Sequence, residues 1–263
     1  MARREGNFLK GVVGKVVLKV VRGKQHVVPK PERGAVKQTV ATKAAATVFG
    51  KASSLGAGIR EIFEINNGSY FDSTVNSRLV SVIRDILTKC ENPVTKAMKF
   101  TTTNFKSLSG FDFNKEALME KHLRFKPGVK TKDGVMQVAF DNLSVGSQFK
   151  FPAKTFKCVV SLSLAVFNLK EGLLFNQVST QHFEVDKNMK TVPAQTFSFD
   201  LPAGCLCLVR MSLEFFVAGK STWKHVTAAN ANPSTICAAV ITPGVLKKAE
   251  PRYWLSRENF KMA

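Results

Sequence analysis

Ten cations recur every few residues near the start of the chain: Arg3, Arg4, Lys10, Lys15, Lys19, Arg22, Lys24, Lys30, Arg33 and Lys37. Contact with a phosphate backbone asks only for positive charge at roughly backbone spacing, so this run suits non-specific nucleic-acid binding. Single-strand binders add aromatic side chains on which bases stack. Only Phe8 lies nearby, which suits a duplex or a packaged genome better than unpaired bases. The competing reading is a solvated cationic surface that pairs with an acidic face of another subunit.

Other groupings fall short of chemistry. Gly11-Val12-Val13-Gly14-Lys15-Val16 has two residues between its glycines, where a phosphate loop has four, and Val where that loop has Ser or Thr. Gly56-Ala57-Gly58-Ile59-Arg60-Glu61 is an incomplete dinucleotide fingerprint with no strand ahead of it. Cys205 and Cys207 form Cys-x-Cys without a second pair, and the four His are scattered, whereas tetrahedral zinc needs four convergent ligands. No Ser sits in a Gly-x-Ser-x-Gly elbow. His182 and Glu184 are one step of strand alternation and read as surface, and His225 beside Trp223 reads as a packed histidine. The 19 carboxylates contain no pair in a recognisable acid–base motif. The expectation is a chain without catalytic residues, metal or cofactor.

Charge distribution sharpens this. The 263 residues hold 39 Lys and Arg against 19 Asp and Glu, a net charge of +20, and residues 1–60 alone carry net +11. Solubility needs a net charge of only about 2–8 on a small domain, so the lopsided excess points to an acidic partner. Apolar residues make up 44%, with 21 Phe against two Trp and two Tyr, which argues for packed interiors rather than disorder. Five Cys without regular spacing make a poor disulfide framework. Cys158 and Cys207 read as small core hydrophobes, and reduced thiols fit a reducing compartment. The start is charged, and the apolar stretch after it is broken by Gly14, Lys15 and Lys19, so no signal peptide is expected. No run of about 18 apolar residues occurs, so no membrane span is expected either. A bacterial cytoplasm or a virion is the expected location.

The elements that must carry these residues follow from periodicity. Over 11–30, Val12, Val16, Leu18 and Val20 fall on one face of an extended strand and Lys15 and Lys19 on the other. Arg22-Gly23-Lys24 is a turn signal, Gln25 to Val28 a return strand, and Pro29 and Pro31 end the pairing. The expectation is a β-hairpin with a cationic face. Over 36–64, Val40, Ala44, Val48, Leu55, Ile59 and Ile62 follow helical spacing, with Gly50, Gly56 and Gly58 marking close packing, a kink or a break. Asp72, Ser73 or Thr74 caps a second helix running to about Lys89. The pattern leaves a third helix open over 94–107.

From about residue 115 the period is two. Met136, Val138 and Phe140 alternate, Phe149 and Phe151 follow, and Cys158, Val160, Leu162, Leu164 and Val166 make a long strand face. Phe197, Phe199 and Leu201 end at Pro202-Ala203-Gly204, and Cys207, Val209, Met211, Leu213 and Phe215 alternate against Arg210, Ser212 and Glu214. Short alternating strands with regular turn signals predict an antiparallel, immunoglobulin-like β-sandwich. The fold class expected is α+β. A basic arm and β-hairpin spans 1–35, a helical region (an αα-hairpin) 36–114, the sandwich 115–245, and a basic tail 246–263. Tyr253 and Trp254 make that tail a candidate for docking on a neighbour.

Gly11-x-x-Gly14-Lys15, then Gly23-Lys24-Gln-His-Val27-Val28-Pro29-Lys30-Pro31, then the helix carrying Thr42 to Phe49, resembles an uncharacterised family of Bacteroidetes proteins, a domain of unknown function. So do Ala165-Val166-Phe167-Asn168-Leu169 and Leu201-Pro202-Ala203-Gly204, with Phe167 and Leu169 where that family carries Tyr and Pro. The resemblance implies an N-terminal hairpin, a helix and a sandwich-like C-terminal half. It implies no activity and assigns no functional residue.

Together these readings predict a non-catalytic structural or assembly protein, self-associating as a homo-oligomer or larger assembly. It touches nucleic acid through its basic N-terminal region, as in a phage virion or a mobile-element nucleoprotein. The alternative is a protein- or glycan-binding module using loops at 187–195 or 221–233, without nucleic-acid binding.

Overall fold

The computed structural model describes residues 2–21, 23–32, 39–67, 72–219, 222–247 and 252–262. Its fold is mixed α and β, and the chain divides into two compact units, Met1–Ala46 and Thr47–Ala263.

The first unit is built on a four-stranded antiparallel meander, β1 (Arg3–Glu5), β2 (Phe8–Val13), β3 (Val16–Val21) and β4 (Lys24–Pro29), in that order. Each link is two residues long. Each holds a glycine with positive φ: Gly6 at 61°, Gly14 at 54° and Gly23 at 75°. Tight hairpin turns need that region, which a β-carbon disfavours. The single strand expected through 11–21 is therefore broken: Val12 belongs to β2 and Val16 to β3. Pro29 is the last paired residue of β4, opposite Val16, where its missing N–H costs the ladder least. Gln25 reaches from β4 to β2, accepting from the Leu9 N–H at 2.9 Å and donating to the Leu9 carbonyl at 2.7 Å.

The second unit opens within α1 (Val40–Asn67) and continues through α2 (Val75–Cys90), a 3-10 turn at Asn104–Leu108 and α3 (Met119–His122). Then come β5 (Gly128–Lys132), β6 (Val135–Phe140), β7 (Leu143–Ser144), α4 (Val145–Gln148), β8 (Lys157–Asn168), β9 (Leu173–Phe175) and β10 (Ser179–Asp186). β11 (Thr191–Val192), β12 (Gln195–Asp200), β13 (Leu206–Ala218), β14 (Trp223–His225), β15 (Ser234–Ile241) and β16 (Trp254–Ser256) complete it. A seven-stranded antiparallel sheet runs β14-β13-β8-β9-β16, with β10 also on β8 and β15 also on β13. A three-stranded sheet runs β12-β6-β5, and β7 pairs β11.

The long strands β8 and β13 are buried on both faces, because each face meets its own apolar cluster. Cys158, Val160, Leu162, Val209 and Met211 join Val138, Phe140, Phe183 and Phe197, with the Phe140 and Phe183 rings 5.2 Å apart edge to face. Ala165, Phe167, Leu206 and Leu208 join Leu55, Ile59, Leu79 and Ile83 of the helices. Arg210 and Ser212, expected on a polar counter-face, are therefore buried, Arg210 to 0% exposure. Its Nη1 donates to the Phe63 carbonyl at 2.9 Å and its guanidinium lies 5.1 Å from the Phe63 ring. Burial pulls its pKa down to about 10, against the attraction of Glu214.

α1 continues through Gly50, Gly56 and Gly58. At Gly56 a β-carbon would lie 3.3 Å from the Val80 side chain, and at Gly58 it would meet Phe167 and Phe260. Gly56 and Gly58 mark close packing, whereas a β-carbon at Gly50 would meet nothing within 4 Å, and none of the three breaks the helix. α2 ends at Cys90, and the helix left open over 94–107 does not form. Asn92 Oδ1 accepts from the Val94 and Thr95 amides instead, a local bond that competes with a helix. Val145–Gln148 is a helical turn, and Phe149 makes only an isolated bridge to Leu123 rather than a strand.

The described tail residues, 252–262, pack on their own chain. β16 pairs β9, the Met262 amide donates to the Leu169 carbonyl at 2.8 Å, and Phe260 and Met262 join the helical cluster. Trp254, Phe260 and Met262 are buried there, and removing such side chains from water favours this packing.

Asp72 braces the start of α2. Its carboxylate accepts from the Thr74 amide and hydroxyl, the Lys115 amide and Arg78. Burial alone would raise its pKa, but these donors hold it well below the ordinary 3.8. The folded pKa is thus depressed, so the stabilisation is full above the unfolded value and is lost as pH falls below it. Asp72→Asn is expected to cost about 1–3 kcal/mol at neutral pH, with the gap to the parent closing below about pH 4 in paired denaturant melts.

Candidate nucleic-acid interface

Seven of the ten cations singled out by sequence are described, and all seven are exposed: Arg3, Arg4, Lys10, Lys15, Lys19, Lys24 and Lys30. Arg22, Arg33 and Lys37 lie outside the described residues. In an antiparallel ladder, directly paired residues share a face. Arg3 pairs with Lys10 between β1 and β2. Lys19 pairs with His26 between β3 and β4, and Lys24, opposite Val21, falls on that same face. Arg4, opposite Leu9, lies on the other face of its ladder. Lys15 stands in the β2–β3 turn and Lys30 just beyond β4, joined by the Lys30 amide donating to the Lys15 carbonyl at 2.7 Å.

Valines fill the positions between. Val16, Leu18, Val20 and Val27 share the face away from Lys19 and Lys24. Lys10 pairs with Glu5 at 3.2 Å, both about half exposed, and such a pair contributes little. Among the described residues of this sheet, no other cation has a carboxylate within 4 Å, so the positive field stands nearly uncompensated.

His26 was missed as a member of this face. The signal was available: a two-residue link after Val21 sets it opposite Lys24 and therefore Lys19 opposite His26.

The remaining candidates stay apart. Gly14-Lys15 is a hairpin turn, and Gly56 and Gly58 lie inside α1, so neither glycine pair forms a phosphate cradle. Glu184 pairs with Lys157 at 2.6 Å, and His182 is exposed. His225 Nε2 sits 3.0 Å from Asn232 Oδ1 with its ring 5.3 Å from Phe216. Cys205 and Cys207 are buried, and burial pushes the Cys205 thiol up to about 12. Among the described residues, no group of three or more His, Cys, Asp or Glu is placed to hold a metal. No helix among them is long and apolar enough to cross a membrane.

Compared with known proteins, the chain matches no family model, no curated protein and no solved structure.

Proposed function

We propose that this chain is a non-catalytic structural or assembly protein that binds the phosphate backbone of nucleic acid through its N-terminal meander. One observation carries the reading: among the described residues, seven exposed cations on and beside a small sheet are opposed by a single intramolecular ion pair. Counterions condensed on the nucleic acid are released when such cations replace them, so affinity is gained without base contacts. A homo-oligomer or larger nucleoprotein assembly, in a virion or a bacterial cytoplasm, is the setting that suits the reading.

The finer fold assignment belongs to the same proposal. An immunoglobulin-like sandwich is supported by an apolar cluster shared between the seven-stranded and three-stranded sheets. A helical hairpin is supported by Gly56 of α1 meeting Val80 and Ile83 of α2. The likeness to the Bacteroidetes family of unknown function adds to the architecture and nothing to the activity.

A second reading, protein or glycan binding by the second unit, is favoured by Trp223, 45% exposed on β14 with Lys157 Nζ 5.9 Å from its ring. The test that separates the two is titration of mixed-sequence nucleic acid with the full chain at low and physiological salt. Steep weakening supports the phosphate reading. Absence of binding at low salt removes it.

A further inference from the structure

Lys19 and Lys24 share their face of the β3–β4 ladder with a histidine. His26 stands directly opposite Lys19 and two residues along β4 from Lys24, and all three are exposed. Directly paired side chains start about 5 Å apart, and alternate residues of one strand about 7 Å apart, so one stretch of phosphate backbone reaches all three. Strand alternation through Val17 and Val12 carries this face on to Lys10 and Phe8 of β2 and to Arg3 and Glu5 of β1. Glu5 is three strand spacings from β4, about 14 Å, which exceeds the screening length at physiological salt, and Lys10 already pairs with it. Glu32 follows β4 outside the ladder. The charges nearest His26 on its own face are therefore the two lysines.

We propose that His26 is a proton-linked phosphate contact: its imidazolium joins Lys19 and Lys24 on the phosphate backbone, so that affinity for nucleic acid rises as pH falls. This rests on the phosphate-binding reading above and adds how that site is regulated. Imidazole is the side chain whose charge ordinarily changes between about pH 5 and 8. Over that range phosphodiesters stay ionised and lysines stay protonated, so the histidine is the member of the trio that responds. A phosphate held by the two lysines sets a negative charge beside the ring and favours its protonated form. Binding then takes up a proton, and by reciprocity protonation strengthens binding. The other three histidines, His122, His182 and His225, lie in the second unit, so replacing His26 isolates its share.

The test uses the full chain and a labelled mixed-sequence DNA duplex in about 0.15 M salt, read by fluorescence anisotropy at about pH 8 and about pH 5.5. The parent is expected to bind roughly fivefold more tightly at the lower pH, the gain for one added phosphate contact, with a salt slope steeper by about 0.9. H26Q is expected to show neither change. H26K keeps its charge at both pH values and is expected to bind at about pH 8 as tightly as the parent does at about pH 5.5. His26 is exposed, and far-ultraviolet circular dichroism checks that both variants fold. A parent insensitive to pH, or an H26Q variant that tightens as the parent does, overturns the proton link and leaves the phosphate reading standing. Absence of binding by the parent at either pH, even at about 50 mM salt, overturns both.

Discussion

Replacing Arg3, Arg4, Lys10, Lys15, Lys19, Lys24 and Lys30 together by Gln is expected to lower affinity for mixed-sequence DNA by roughly 10³- to 10⁵-fold at about 0.15 M salt. Each lysine or arginine that neutralises a phosphate contributes about 0.9 to the logarithmic salt slope, which near 0.15 M is roughly a fivefold gain in binding. Four contacts give the lower bound and seven the upper. Lys10 contributes least, because Glu5 holds it at 3.2 Å. None of the seven is buried, so neutralisation leaves the packed units intact, and a thermal melt should overlay that of the parent. Fluorescence anisotropy with a labelled duplex reads the loss. A variant that keeps its affinity would place the binding elsewhere, with the protein- or glycan-binding loops of the second unit next in line.

Phe260→Ala is expected to destabilise the second unit by about 3–5 kcal/mol, the range for truncating a fully buried Phe. Phe260 is 1% exposed and meets Phe167 edge to face at 6.2 Å. A β-carbon on Gly58 would touch its ring, so the side chain fills space that the helix leaves open for it. At about 2–4 °C per kcal/mol for a unit of this size, the melting temperature should fall by roughly 6–20 °C. Arg257, whose Nη2 pairs with Glu61 at 2.5 Å, holds the tail to α1 at the surface, and its loss should cost about 1 kcal/mol or less. A Phe260→Ala melt within 2 °C of the parent would mean that the tail is not part of the core.

Some of this was legible in the residues and some was not, for identifiable reasons. The alternation in 157–168 and 206–218 announced β8 and β13, because a strand face buried on one side must repeat every second residue. Their second burial was hidden: Ser161, Ser163, Arg210 and Ser212 mark a solvent face to any periodicity argument, yet all four are buried, Arg210 with its guanidinium over the Phe63 ring. The cationic hairpin was visible, but Gly14-Lys15 lay within an apparently continuous apolar alternation, so a turn was taken for the middle of a strand. The packing of the tail was hidden differently. Its charge suggested an arm, while Phe260 and Met262 were spaced too sparsely to signal burial. The candidate face needed only register once the link between Val21 and Lys24 was placed, yet which cations share a face required the ladder itself.

The salt dependence of binding by the unmodified chain tests the central claim most directly. A plot of log affinity against log salt for a mixed-sequence duplex is expected to be linear with a slope between about −4 and −6, which is a roughly 10²- to 10⁴-fold loss from 50 to 200 mM. A slope near zero, or undetectable binding at 50 mM, would contradict an electrostatic contact between the N-terminal meander and a phosphate backbone.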